Sequence, residues 1–156
     1  QKLLIEIKTT PEDSPQMMNH FIQLYGQRLL ADHDQLHSLD YQVVTTMRKR
    51  GPKWKTFFIL PYTLVFPETP ASGYTLETTT LAMRVIDEAH NRDQKVYAWT
   101  VNDSDDMEKV AFMDAVGIIT DQLGELKTTL YQMNHHPSYA DQILQYLTSF
   151  SDDAEN

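Results

Sequence analysis

Leu3-Leu4-Ile5-Glu6-Ile7-Lys8 opens this chain with an apolar run broken by one acid and one base, two positions apart. Side chains two apart share a face of a strand, so Glu6 and Lys8 point the same way, with Leu4 further back on that face. The apolar neighbours predict a buried strand, and a buried carboxylate needs a cation, a metal or hydrogen-bond donors. A chain that starts at Gln1 and runs straight into a core strand is expected to continue something upstream.

Working outward from this strand, placed at residues 2–8, apolar runs alternate with helical periodicity. Thr9-Thr10-Pro11-Glu12-Asp13-Ser14-Pro15 reads as a turn, with Ser14 as N-cap and Pro15 at the first helical position. Met17, Met18, Phe21, Ile22, Tyr25 and Leu29 follow at helical spacing. A strand at 35–39 leads to Asp40, which caps a helix to about residue 50, closed by Gly51-Pro52. Residues 54–60 read as a strand ended by Pro61, and residues 62–72 as an irregular loop. The pattern continues with a strand at 73–76, a helix over 78–91 and a strong strand at 95–101. Asn102-Asp103-Ser104 caps a helix over 105–112, and the last strand lies at 116–120. Helices are expected near 123–133 and 138–150, completing one domain over 1–150 with a frayed acidic tail at 151–156.

Six strands alternating with helices imply parallel βα units. Periodicity leaves two architectures open: an open doubly wound sheet, or part of a (β/α)8 barrel.

The composition narrows the function. The 156 residues carry 13 Lys and Arg against 22 Asp and Glu, a formal net charge of −9. That balance argues against a nucleic-acid binder, which needs a basic footprint, though not against a small anion held by one or two local cations. No cysteine is present, which excludes disulfides, thiolate catalysis and cysteine metal sites. Apolar runs such as Phe57 to Leu60 are far too short to span a bilayer. No charged-then-apolar leader appears, so any targeting segment is expected upstream or not at all.

In parallel α/β architectures the working groups sit at the carboxyl ends of strands. This chain places Glu6 and Lys8, then His37 and Ser38, then Glu77, then Trp99 with Asn102, then Asp121 at those positions. Each has a bland reading: Glu77 a cap or ion pair, Trp99 core, Asn102 and Asp121 turn formers, His37 a packed histidine, His135-His136 a loop without metal.

The combination is more telling than any member. Leu3 to Lys8, His37-Ser38-Leu39-Asp40, Ala89-His90 leading into Val96-Tyr97-Ala98-Trp99-Thr100-Val101-Asn102, and Gly117-Ile118-Ile119-Thr120-Asp121 occur in that order. They resemble the Ile-Glu-Ile-Lys, Ser-Phe-Asp, Trp-Thr-Val-Asn and Gly-Ile-Ile-Thr-Asp signatures of the glycerophosphodiester phosphodiesterase family. The resemblance runs to about residue 127, and Ser38-Leu39-Asp40-Tyr41 looks most like the membrane-anchored bacterial branch.

The resemblance implies a partial TIM (β/α)8 barrel holding strands three to eight and lacking the first two. It implies a parent that hydrolyses glycerophosphodiesters to glycerol 3-phosphate and an alcohol with a divalent ion, Ca or Mg. By match to the motif, Glu6 is a metal ligand, Lys8 a catalytic phosphate contact and Trp99 a substrate-binding wall. The chemistry agrees, since a hard cation takes oxygen ligands and a fixed ammonium offsets phosphoryl charge. The family's opening His-Arg pair, its Glu-x-Asp ligands and its second catalytic His are expected upstream of the first strand. His20, His33, His37 and His90 sit outside those motifs. Asp93 stands where the family turns on Gly, and Asp114 and Val116 stand where it has Gly and Asp.

With one metal carboxylate and neither acid–base histidine, the chain alone is expected to be inactive, since losing a general acid–base typically costs ~100 to 10,000-fold. Six strands cannot close the barrel, so the first and last strands are expected to expose edges that pair with another copy, or to leave a gap partly covered by the C-terminal helices. Two rivals remain: a non-enzymatic module that binds a partner through the open barrel edge, and an unrelated α/β ligand binder. The latter lacks any Gly-rich phosphate loop among its five glycines.

Overall fold

Every strand pairs with the next strand in sequence, and every pairing is parallel. The computed structural model describes residues 2–14, 16–62, 65–113 and 117–135. The strands are β1 Leu4–Glu6, β2 Gln35–Ser38, β3 Lys55–Leu60, β4 Gly73–Glu77, β5 Lys95–Trp99 and β6 Gly117–Ile118. The helices are α1 Met17–Ala31, α2 Tyr41–Arg50, α3 Met83–Asn91, α4 Ser104–Phe112 and α5 Leu123–His135.

This connectivity decides between the two architectures. A doubly wound sheet reverses its strand order at a switch point and carries helices on both faces. Here the order is sequential and the helices pack on one face. Val43 and Met47 of α2 and Leu29 of α1 pack with Ile7 and Leu36. Val85, Ile86 and Ala89 of α3 pack with Phe58, Leu60, Tyr74, Leu76 and Val96. Met107 and Val110 of α4 pack with Ala98 and Ile118. The alternate residues, Glu6, His37, Phe57, Thr75, Tyr97 and Trp99, therefore face the other side, the concave interior. The chain is a curled, six-stranded part of a (β/α)8 barrel.

Several local expectations are corrected. The first strand is not buried: Leu3 is 38% exposed and Leu4 44%, because β1 is an edge strand that, among the described residues, bonds only β2. Ser14 does not cap α1. Its hydroxyl accepts from the Gln16 N–H at 3.2 Å, and Gln16 occupies the N-cap without a side-chain bond. The helix expected over 78–91 is split into a 3-10 turn, Thr78–Thr80, and α3. Leu81 and Ala82 between them are extended, and Leu81 packs against the clusters of both α3 and α4, which a continuous helix would not allow. The strand expected at 95–101 stops at Trp99, and that at 116–120 covers only two residues within the described segment.

Asp40 caps α2 as expected, accepting from the Gln42 N–H at 2.7 Å. Asp93 adopts φ 56°, the left-handed turn that Asp tolerates where Gly is usual. Gly51 is required by packing: a Cβ there would lie 2.1 Å from the Trp54 ring, which closes the end of α2. The Asp114 and Val116 positions, the His136 half of the histidine pair, the 138–150 helix and the acidic tail lie outside the described residues.

Candidate active site

The concave face carries a polar–aromatic layer that strand register assembles. Glu6 is opposite His37, His37 opposite Phe57, Thr75 opposite Tyr97, and Glu77 opposite Trp99. His37 is fully buried, stacked on Phe57 at 4.6 Å between centroids, with Tyr97 edge-on at 5.8 Å. Its Nδ1 lies 2.7 Å from Thr75 Oγ1 and its Nε2 lies 3.3 Å from Gln35 Oε1. Gln35 in turn donates to the Tyr97 hydroxyl at 2.9 Å. Burial pushes the His37 pKa down from 6.5 to about 4, so the ring is neutral at neutral pH and makes one hydrogen bond as donor and one as acceptor. His37 is thus a packed core histidine.

Above this layer, at the carboxyl ends of the strands, stand the residues singled out from sequence. Lys8 Nζ lies 3.7 Å from Glu6 Oε2, with side chains 76% and 34% exposed. Trp99 ends β5 on the same face, four strands along, and is partly buried; its indole N–H is shielded and has no acceptor among the described residues. The structure brings Glu6 and Lys8 together and places Trp99 at the same end of the sheet.

Two further strand-end groups hold loops. The Glu77 carboxylate accepts from the Thr79 N–H at 3.1 Å and from the Thr78 and Thr79 hydroxyls, capping the 3-10 turn. Asn102 Oδ1 accepts from the Asp121 N–H at 2.9 Å and from the Thr120 hydroxyl at 3.0 Å, while its amide donates to Asp121 Oδ2 at 3.2 Å. Asn102 and Asp121 are turn formers that tie the β5 and β6 ends together.

A role not foreseen belongs to Ser38 and Asp40. The Ser38 hydroxyl donates to the Ile7 carbonyl at 2.7 Å, and the Thr9 hydroxyl donates to Asp40 Oδ2 at 2.9 Å. Together they latch the segment carrying Lys8 onto the end of β2. A buried Ser on the helix-facing side of a strand, just before a cap, was the available signal. At the start of β1, buried Asp34 accepts the Leu3 N–H at 2.7 Å and lies 3.4 Å from Arg28.

A hard divalent cation takes six or more oxygen ligands. Among the described residues no group of three His, Asp or Glu side chains is arranged to hold one. Glu6 with Lys8 as its charged neighbour does not by itself fit such an ion. A cavity of about 750 Å3 opens at the amino-terminal ends of the strands, lined by Gln35, Lys55, Phe57 and Lys95 among others.

The model of the glycerophosphoryl diester phosphodiesterase family matches residues 17–125. This chain belongs to that family. The matched stretch contains Trp99, Asn102 and Asp121 and begins after β1, so Glu6 and Lys8 lie outside it. No curated protein matches the chain. Among solved structures, a provisionally named glycerophosphoryl diester phosphodiesterase from Silicibacter pomeroyi superposes with a TM-score of 0.75 at 20% identity, covering 85% of this chain and 51% of its own. A glycerophosphodiester phosphodiesterase from Parabacteroides distasonis gives 0.73 at 18%, covering 86% and 59%. A phosphodiesterase from Oleispira antarctica, solved with the product sn-glycerol-3-phosphate, gives 0.70 at 13%, covering 83% and 55%. These likenesses establish the fold, and the chain spans between half and three-fifths of each of these structures.

Proposed function

We propose that this glycerophosphodiester phosphodiesterase family chain supplies strands three to eight of a barrel that hydrolyses glycerophosphodiesters to glycerol 3-phosphate and an alcohol, and that the chain alone does not turn over substrate. The observation that carries this reading is the Glu6–Lys8 pair at the carboxyl end of β1, on the concave face and at the same end of the sheet as Trp99.

In this reading Lys8 contacts the phosphodiester and offsets charge that develops on its oxygens. Its exposure leaves the ammonium free to leave Glu6 for a phosphate, because a screened pair at 3.7 Å is held by little. Trp99 packs against the glycerol or the leaving group. Glu6 is one carboxylate of a divalent-ion site in the intact enzyme. The described residues do not complete that site, so no step is assigned to the ion. Ser38-Leu39-Asp40-Tyr41 supports a place in the membrane-anchored bacterial branch. No helix of the described residues is long and apolar enough to cross a membrane, so anchoring would fall to other segments.

A second reading, a module that binds a partner through the open barrel edge, is favoured by exposed Leu3 and Leu4 on β1. The test is release of glycerol 3-phosphate from glycerophosphocholine with Ca or Mg present. The chain alone is expected to match its Glu6→Ala variant at background. A full-length protein containing this chain is expected to be active and to lose activity on Lys8→Ala. An active isolated chain would overturn the inactivity claim, and a full-length protein indifferent to Lys8→Ala would remove Lys8 from the site.

A further inference from the structure

We propose that the amino-terminal mouth of the barrel is a second binding site, separate from the Glu6–Lys8 end, for a small phosphate-bearing anion. The cavity there measures about 750 Å3, within the range of ~300–1,000 Å3 usual for small-molecule sites. Arg48, Lys55, Arg92 and Lys95 line it, against two carboxylates, Glu68 and Asp93. Four cations facing two anions give a local excess of two positive charges in a chain whose net charge is −9.

Ion pairs reduce this excess without cancelling it. Arg92 is engaged by Glu88 at 2.6 Å and Glu68 at 3.6 Å. Arg48, Lys55 and Lys95 pair with no carboxylate among the described residues. Arg48 is instead held by backbone: its guanidinium donates to the Pro52 carbonyl and, at 3.4 Å, to that of Trp54. One edge of the fork is thereby fixed and the remaining N–H groups stay available, the arrangement that suits a planar donor to a phosphate.

The sheet sets the spacing of the lysines. Lys55 and Lys95 are the first residues of β3 and β5, on the same face as Phe57 and Tyr97 two positions on. Across β4, Gly73 is the register partner of both Phe57 and Lys95 and contributes no side chain. A Cβ at Gly73 would fall 2.1 Å from the Lys95 carbonyl oxygen, so this position stays bare and the floor between Phe57 and Lys95 stays open. Gln35, fixed by the Tyr97 hydroxyl, completes a polar wall. Two ammonium groups and a guanidinium that line one opening repel each other, and an anion between them would relieve that repulsion.

The probe is inorganic phosphate, titrated into the whole chain at low ionic strength and followed by amide chemical shifts. Saturable shifts are expected at Ser72, Gly73 and Gln94, weakening as salt is raised. The double variant Lys55→Gln with Lys95→Gln, which replaces two exposed side chains, is expected to weaken binding at least ~10-fold. Each single variant is expected to fall between, which keeps the comparison available should the double variant unfold. Shifts confined to Lys8 and Thr9, no saturable shift at all, or unchanged affinity in the lysine variants would each overturn the proposal. None of these results depends on whether the chain hydrolyses a phosphodiester.

Discussion

The Ser38 hydroxyl donates to the Ile7 carbonyl at 2.7 Å, joining residues 31 apart in sequence, and the same oxygen accepts the Asp40 N–H at 3.1 Å. One buried side chain thus fixes both the end of β1, from which Lys8 projects, and the entry to α2. Ser38→Ala leaves a carbonyl and an N–H without this partner. It is expected to cost about 1–3 kcal/mol, read as a lowered denaturant midpoint at unchanged slope. Faster hydrogen exchange is expected at Ile7, whose N–H bonds the His37 carbonyl at 2.9 Å. An unchanged midpoint would mean that the latch carries no strain-bearing role.

Stability should depend on pH through His37. Its pKa in the folded chain is lowered to about 4, against 6.5 when unfolded. Above pH 6.5 both states hold the neutral ring and the group contributes no slope. As pH falls from 6.5 towards 4 the unfolded chain takes up the proton first, so stability is lost across that window, by up to about 3 kcal/mol. His37→Gln should flatten this part of the curve. Urea titrations at pH 7 and pH 4.5 on both proteins measure it.

Glu6→Ala and Lys8→Ala should each leave folding stability within about 0.5 kcal/mol of the parent, because an exposed pair at 3.7 Å contributes little. A loss of several kcal/mol in thermal or chemical unfolding would show the pair to be structural, and would undercut the reading of these two side chains as groups kept for phosphodiester chemistry.

The free edge of β1 should promote association. Leu3 and Leu4 are exposed there, and among the described residues the strand bonds a neighbour on one side only. The other outer strand, β6, has two residues in its ladder within the described segment. Sedimentation is expected to show concentration-dependent dimers that Leu4→Lys suppresses. A monomer at every concentration, with protected amides along β1, would count against pairing.

Much of this arrangement was legible in the sequence because it is local. The alternation in Leu3-Leu4-Ile5-Glu6-Ile7-Lys8 put Glu6 and Lys8 on one face, and they are on one face. Asp40 and Asp103 were readable as caps, since an Asx side chain reaches the N–H groups two and three residues on. Asp93 was readable as a left-handed turn for the same kind of reason. The 78–91 helix misled because Leu81, Val85, Ile86 and Ala89 keep helical spacing, while the backbone at Leu81 is extended and its side chain joins two clusters.

Alternating apolar strands and helices, one acid–lysine couple and the caps between them were written in the residues themselves, since each depends on neighbours within four positions. Strand order, the single helix-covered face and the exposure of β1 were decided only by tertiary structure. They depend on which strand lies beside which, and no side chain records how many partners its backbone will find. The same holds for the cluster of Arg48, Lys55 and Lys95, which come from the end of one helix and the starts of two strands and line one mouth only because a parallel sheet brings those ends together.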